Sequence, residues 1–255
     1  MKILMLGDVT SPEAAKYLAA TLPAARRRLA ADLVTVNAEN AGFILGPSPE
    51  TARLLLSSGA DVLTGGNHTL QNYDLLASLE RMPGVLRPAN YPQRTPGRGY
   101  TVREVGGVRV LVISLLGRVH MEPPLSSPFE AADRVLSAAR GRYDVAVVDI
   151  HAEATGEKMA LAHYLDGRVA AVVGTHTHVP TADLSILPRG TGYVTDLGMC
   201  GPEHSILGLD SREIVERYLT AVNHKLHPPT GKMRADGVLF TVEGNRTVAT
   251  ERVVL

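Results

Sequence analysis

The chain has 255 residues, 45% of them hydrophobic and 20% charged, the balance of a globular protein with a sizeable core rather than of a disordered or fibrous one. Lys+Arg and Asp+Glu both number 26, so the formal net charge is zero and the cationic surplus behind non-specific nucleic-acid binding is absent. The one cysteine, Cys200, excludes an internal disulfide, and no apolar run approaches the roughly 18 residues of a membrane span, which predicts a cytoplasmic protein with no membrane partner.

In chain order, residues 3–6 read as a buried first strand closed by Gly7-Asp8, too short an apolar run for a signal segment. Residues 11–31 have helical composition behind Ser11, and residues 33–36 form a second strand that ends in Asn37-Ala38-Glu39-Asn40. A helix over 48–58, a strand at 62–63 ending in Gly65-Gly66-Asn67-His68, and a helix over 72–81 come next. The Pro-rich stretch 86–99 is a long loop. Residues 100–105 and 108–115 flank Gly106-Gly107, a hairpin signal. After a helix over 128–140 come two more strands. Residues 145–150 run into His151, and residues 169–173 run into Gly174-Thr175-His176-Thr177-His178. Past a second Pro-containing loop at 227–234, residues 237–242 and 247–254 form a closing hairpin. Ser11, Ser48 and Ser127 are the expected N-caps. Strand–helix alternation argues for an α/β fold with largely parallel strands, built as one mixed sheet or two packed sheets with outer helices. No stretch has linker composition, so residues 1–255 read as a single domain.

The chemistry lies at the strand ends. In open α/β sheets ligands bind at the carboxyl ends of parallel strands, and five such ends here carry metal-competent groups: Asp8; Glu39 and Asn40; Asn67 with His68; His151; and His176 with His178. Each piece alone has an ordinary reading as a turn, a cap or a polar loop. Alternate histidines in an extended segment are more specific, because they point the same way and can grip adjacent ions. The conjunction predicts a two-metal site in which Glu39 bridges, a bridging hydroxide attacks phosphorus, and His68 protonates the leaving oxygen.

The same stretches resemble a known family. Gly65-Gly66-Asn67-His68 and Gly174-Thr175-His176-Thr177-His178 are similar to the signatures of calcineurin-like metallophosphoesterases. Residues 36–42, 87–92, 149–158, 174–183 and 195–201 resemble, more narrowly, the YmdB family within them. The resemblance implies a four-layered α/β/β/α sandwich with two mixed sheets and two divalent ions per chain, iron or manganese. It places Asp8, Glu39, Asn40 and His178 on one ion, and Glu39, Asn67, His151 and His176 on the other, with His68 as the acid. It also implies hydrolysis of cyclic nucleotides, the 2′,3′-cyclic class first. RNA ends are a further substrate it allows, and a homo-oligomer a further assembly. Thr10 stands where the superfamily usually has a histidine, so Asn40 fills that ligand place, and Leu70 replaces a common Trp.

Two other function classes share these residues: a phosphomonoesterase, protein phosphatase or nuclease with the same site, and a nucleotide or metal sensor without turnover. Arg87 and Lys232 are candidate sources of positive charge for the substrate. Cys200 reads as a packing residue, residues 26–28 (Arg-Arg-Arg) as a solvated helix face, and His120, His163, His204, His224 and His227 as surface groups.

Overall fold

A computed structural model describes residues 1–223 and 225–255; His224 lies outside the described residues. The chain opens with β1 (Lys2–Leu6), β2 (Asp8–Val9), α1 (Pro12–Leu29), β3 (Leu33–Asn37), α2 (Pro49–Ser57), β4 (Val62–Thr64) and α3 (Tyr73–Ser78). The hairpin β5 (Tyr100–Val105) and β6 (Val108–Leu116) leads to α4 (Pro128–Ala138), β7 (Val145–His151), α5 (Thr155–Leu165) and β8 (Ala171–Thr175). Short strands β9 (Ser185–Ile186), β10 (Gly192–Val194) and β11 (Met199–Pro202) precede α6 (Ser211–Thr220) and the long hairpin β12 (Met233–Glu243) and β13 (Arg246–Val254).

These strands make two mixed sheets. The first runs β2-β11-β12-β1-β3-β4 with β13 beside β12, and the second runs β5-β6-β7-β8-β10-β9. Strands β1, β3 and β4 are mutually parallel, as are β6, β7, β8 and β10, so two sets of strands deliver their carboxyl ends together.

The four layers arise from period-two patterning. Along β1, Ile3 and Met5 pack into the cluster between the sheets, while Leu4 and Leu6 face the cluster that also holds Leu18 and Leu22 of α1. In β6 and β7, Val110, Val112, Val145 and Val147 point between the sheets; Leu111, Ile113, Ala146 and Val148 pack with Ala131 of α4 and Leu161 of α5. Both sheets are apolar on both faces, and an α/β/β/α sandwich results.

Ser11, Ser48 and Ser127 cap α1, α2 and α4 through their hydroxyls, as the sequence predicts. The expected helix over 72–81 divides into α3 and a 3₁₀ turn at Leu79–Arg81. One reading changes: Arg26 is not solvated, since its guanidinium pairs with Asp61 at 3.1 Å and donates to three main-chain carbonyls, tying α1 to the β3 and β4 ends. Among the described residues no helix is long and apolar enough to cross a membrane.

Phe240 of β12 is fully buried between the sheets. Phe240→Ala is expected to cost about 3–5 kcal/mol in urea unfolding, the range for a large core deletion; an unchanged midpoint would mean that the inter-sheet core closes without it.

Candidate metal centre

The strand ends converge where the two sheets meet. Asp8 leaves β1 fully buried, and the Gly7 before it is required by proximity: a Cβ there would lie 2.1 Å from the Gly198 carbonyl oxygen. Beyond β3, Asn37 turns the chain by accepting from the Glu39 N–H at 3.0 Å, which directs the Glu39 side chain inward. That carboxylate is held by the loop after β4. It accepts from the Gly66 N–H at 2.5 Å, from the His68 N–H and from the Thr69 hydroxyl at 2.6 Å. Gly66 admits His151 as neighbour, since a Cβ on it would stand 2.2 Å from the imidazole.

From the second sheet, His151 ends β7 and the segment after β8 carries the other two imidazoles. His176 and His178 both adopt positive φ, 98° and 60°, conformations that β-carbons disfavour and that the surroundings must maintain. The contacts tie six of the expected groups together. Asn40 Nδ2 donates to Asp8 Oδ1 at 3.1 Å and lies 3.4 Å from His178 Nε2, which is itself 3.4 Å from Asp8 Oδ2. His151 Nε2 stands 3.1 Å from His176 Nδ1 and 3.8 Å from Glu39 Oε1, and the His176 N–H donates to Asp8 at 3.1 Å. Asn67, the seventh, joins through the Gly66 and His68 main chain that grips Glu39. His68 sits beside it, half-buried, with Nε2 3.4 Å from Asn67 Nδ2.

The imidazoles are oriented from behind. His178 Nδ1 donates to the Leu207 carbonyl at 3.0 Å, which turns its Nε2 toward Asp8 Oδ2, 3.4 Å away. His151 Nδ1 bonds Thr175 Oγ1 at 3.0 Å, and the Thr175 hydroxyl donates onward to Asp149 Oδ1 at 2.9 Å. Asp149 is buried and also accepts from Asn37 and Thr64; burial nonetheless pushes its carboxyl up to about 6. A second support holds the loop between the histidines. Lys158 of α5 is wholly buried and donates to Asp196 at 3.0 Å, and the same carboxylate takes the Thr177 N–H at 3.0 Å and the Thr177 hydroxyl at 2.7 Å.

Burial and neighbours set the protonation states. Burial alone would raise the Asp8 carboxyl, but His178, His151 and His176 hold it well below the usual carboxylate range. Burial pushes Glu39 up to about 7, moderated by its Thr69 and His68 bonds and reinforced by the Asp8 charge. Burial drives His151 well below an ordinary imidazole and lowers His176 in spite of the Asp8 and Glu153 charges; burial would lower His178 too, but the Asp8 carboxylate and the Leu207 carbonyl raise it.

Among the described residues no three His, Cys, Asp or Glu side chains yet stand where they could hold an ion together. The cluster's donors and acceptors are instead turned on one another, as in the bond from Asn40 Nδ2 to Asp8 Oδ1. The residues nevertheless fit divalent cations. Asn67 Oδ1 is buried with no donor. Among the described residues, the basic side chains within 4 Å of the buried Asp8 and Glu39 carboxylates are histidines, with no Lys or Arg. Buried carboxylates so placed demand a compensating charge.

Several groups here carry no strand-end signal in the sequence: Asp149, Thr175, Lys158, Asp196 and Gln71, whose Oε1 lies 3.0 Å from His68 Nδ1. The two cations expected to face substrate are occupied elsewhere. The Arg87 guanidinium donates to the Pro88, Thr95 and Pro96 carbonyls, and Lys232 pairs with Glu203 at 2.9 Å. Cys200 is buried with Sγ 3.5 Å from the Gly7 carbonyl, and His120, His163, His204 and His227 are exposed.

The profile of a family described as YmdB-like protein matches residues 4–253. A Bacillus subtilis (strain 168) protein named 2′,3′-cyclic-nucleotide 2′-phosphodiesterase is 39% identical over 257 residues, covering 100% of this chain and 97% of that one. A crystal structure of a novel phosphatase from Mycoplasma pneumoniae superposes with a TM-score of 0.91 at 31% identity, over 100% of this chain and 93% of that one. The fold alone is shared with a 5′-nucleotidase precursor from Thermus thermophilus, at TM-score 0.64 and 16% identity over 100% of this chain and 54% of that one.

Removing one partner of the Lys158–Asp196 pair strands a buried charge, at a cost of about 3–5 kcal/mol. Lys158→Met and Asp196→Asn should each destabilise on that scale, and the double variant should recover part of the loss. A coupling energy near zero in the double-mutant cycle would rule the pair out as the clasp of the loop.

Proposed function

The chain belongs to the YmdB-like family, matching it from residue 4 to residue 253, and from that membership we propose a phosphodiesterase that depends on two divalent ions and hydrolyses 2′,3′-cyclic nucleotides. One observation carries the reading: two fully buried carboxylates, Asp8 and Glu39, face a ring of imidazoles and an unpartnered amide oxygen. Asp8, Glu39, Asn40 and His178 would hold one ion, and Glu39, Asn67, His151 and His176 the other. Iron or manganese suits such a mixed oxygen and nitrogen set. When bound, the ions supply Lewis acidity toward the phosphate oxygens and a water that ionises near neutral pH.

The remaining steps belong to the chain's own side chains. His68 belongs to neither ligand set. Its Nδ1 donates to Gln71 Oε1 at 3.0 Å, which aims Nε2 along the Asn67 side of the cleft. As water adds to phosphorus and the P–O2′ bond breaks, His68 in its imidazolium form would keep the Nδ1 proton on Gln71 and pass the Nε2 proton to the departing 2′ oxygen, while the proton shed by the water leaves to solvent; the product retains a 3′-phosphate. In a 2′,3′-cyclic phosphate the leaving oxygen stays tethered to the ribose, so one well-placed acid suffices. Base recognition is loose on this reading, because the chain has no Trp, Tyr73 is 83% exposed and Tyr91 is half-buried. The name of the Bacillus subtilis relative supports the same substrate class.

Elemental analysis is expected to find about two metal ions per chain in active protein. Glu39→Gln should lose both metal and activity, since a neutral amide bridges poorly. His68→Ala should keep its metal and lose about 10²–10⁴-fold in kcat, the range for a missing general acid; loss of metal from that variant would make His68 a ligand instead. Under one metal condition, kcat/KM should fall in the order 2′,3′-cyclic nucleotides, 3′,5′-cyclic nucleotides, simple monoesters. Monoesters outrunning both cyclic classes would replace this reading with a phosphatase.

A further inference from the structure

Around the corner from the candidate metal centre lies a cavity of about 620 Å³ between the loop after residue 86, the start of β5 and one face of α4. Four arginines line it, Arg87, Arg98, Arg134 and Arg142, together with Tyr91 and Tyr100, and no Asp or Glu does. In a chain of zero net charge this is a strong local excess. Arg98, Arg134 and Arg142 are exposed, and among the described residues none of them is in an ion pair. Asp133 beside Arg134 is engaged by Arg168 and Tyr164, and Asp144 beside Arg142 by Arg109, while Glu80 at the cavity's edge accepts from the Gly97 N–H at 2.8 Å. The wall is rigid, because Arg87 is fixed by three carbonyls and the Gly99 backbone packs directly on Ala89.

The cavity shares a wall with the metal cleft. The Leu86 carbonyl would stand 3.0 Å from a Cβ on Gly65, at the start of the Asn67 loop. The Ala89 N–H donates to the Ser114 carbonyl at 2.8 Å, and the Ser114 hydroxyl to the Gly65 carbonyl at 3.2 Å. Asn90 donates to the Leu116 carbonyl at 2.8 Å, and Leu116 is the register partner of His151. One segment, residues 86–91, therefore lies against the strand ends that carry Asn67 and His151 on one side and beside the arginines on the other.

We propose that this cavity binds the nucleotides on the 5′ side of a terminal 2′,3′-cyclic phosphate, so that the protein takes single-stranded RNA ends as well as mononucleotides. The inference rests on the phosphodiesterase reading above. Arg98, Arg134 and Arg142 engage successive backbone phosphates, and Tyr91 and Tyr100 offer rings to a base without reading its identity. Arginine with aromatic side chains is the combination that single-stranded nucleic acid selects.

Two measurements test it. The first is fluorescence anisotropy of a labelled five-nucleotide RNA carrying a 3′-phosphate, a product-like probe that needs no turnover, against wild type and the Arg98→Ala/Arg134→Ala/Arg142→Ala variant. Wild type should bind it about tenfold or more tightly than a labelled nucleoside 3′-phosphate. In the variant that advantage should vanish, and the slope of log K against log salt should fall by about 2, at roughly 0.7 per lost phosphate contact. The single variant Arg134→Gln should lose part of each, which keeps the test open if the triple variant folds poorly. The second measurement is the ratio of kcat/KM for the same RNA ending in a 2′,3′-cyclic phosphate to that for a cyclic mononucleotide, which should drop in the variants. An RNA that binds no better than the mononucleotide, or binds equally well without the arginines, overturns the proposal. If arginine-dependent RNA binding holds while wild type hydrolyses no cyclic nucleotide, the activity reading fails and the binding site stands.

Discussion

Asp8 and Glu39 are buried carboxylates that, among the described residues, no ammonium or guanidinium reaches, and the surrounding structure is arranged to make that placement tolerable. Stripping water from an isolated carboxylate costs several kcal/mol even after relaxation. Glu39 recovers part of this from two main-chain N–H groups and a hydroxyl. Asp8 recovers it from imidazoles, an amide and the His176 N–H. These partners depend in turn on close backbone approaches at Gly7 and Gly66 and on a positive-φ loop that Asp196 holds through Thr177.

The cluster also divides between the sheets. Asp8 opens β2 and Glu39, Asn40 and Asn67 lie just beyond β3 and β4, all in the first sheet, whereas His151, His176 and His178 all end or succeed strands of the second. An ion bound to both sets would act as a tie across the sandwich, and binding free energy would add to folding free energy in the usual linked way. The supporting groups are split likewise: the Thr175–Asp149 relay and the Lys158 clasp hold the imidazoles from the second sheet, while the Gly66–Thr69 loop holds the carboxylate from the first.

The layers and the primary cluster are legible in the sequence because both are written in local signals. Val, Ile and Leu alternate between two apolar faces in β1, β6 and β7, and the polar residues that end or follow β1, β3, β4, β7 and β8 are the ones that converge. The supporting groups are opaque for a different reason. Lys158 lies on α5, which has no apolar stripe to announce a helix, and a lysine there reads as a solvent-facing residue until its Asp196 partner, 38 positions away, is seen. Asp149 sits inside a buried strand where a carboxylate looks like an exception, and its three donors come from three other strands. Arg87 misleads for the converse reason: a guanidinium beside a motif suggests substrate, but three carbonyls of its own loop consume its donors. The short strands β2, β9, β10 and β11 are defined by their partners rather than by composition.

Strand β1 lies inside the first sheet, between β3 and β12, and its partner on one side is Gly237–Thr241, more than 230 positions downstream. During synthesis the opening strand, apolar on both faces, leaves the ribosome long before the strand that completes its hydrogen bonding exists. Non-local pairing of this kind slows folding and prolongs the exposure of an unpaired edge. With the cluster around Asp8 and Glu39 drawing on the ends of β1, β3, β4, β7 and β8, no early fragment of the chain can assemble it. Ions held as proposed would therefore be taken up late, after the first sheet has closed around its oldest strand, and a nascent chain stalled before β12 would be a client for chaperones rather than a partial enzyme.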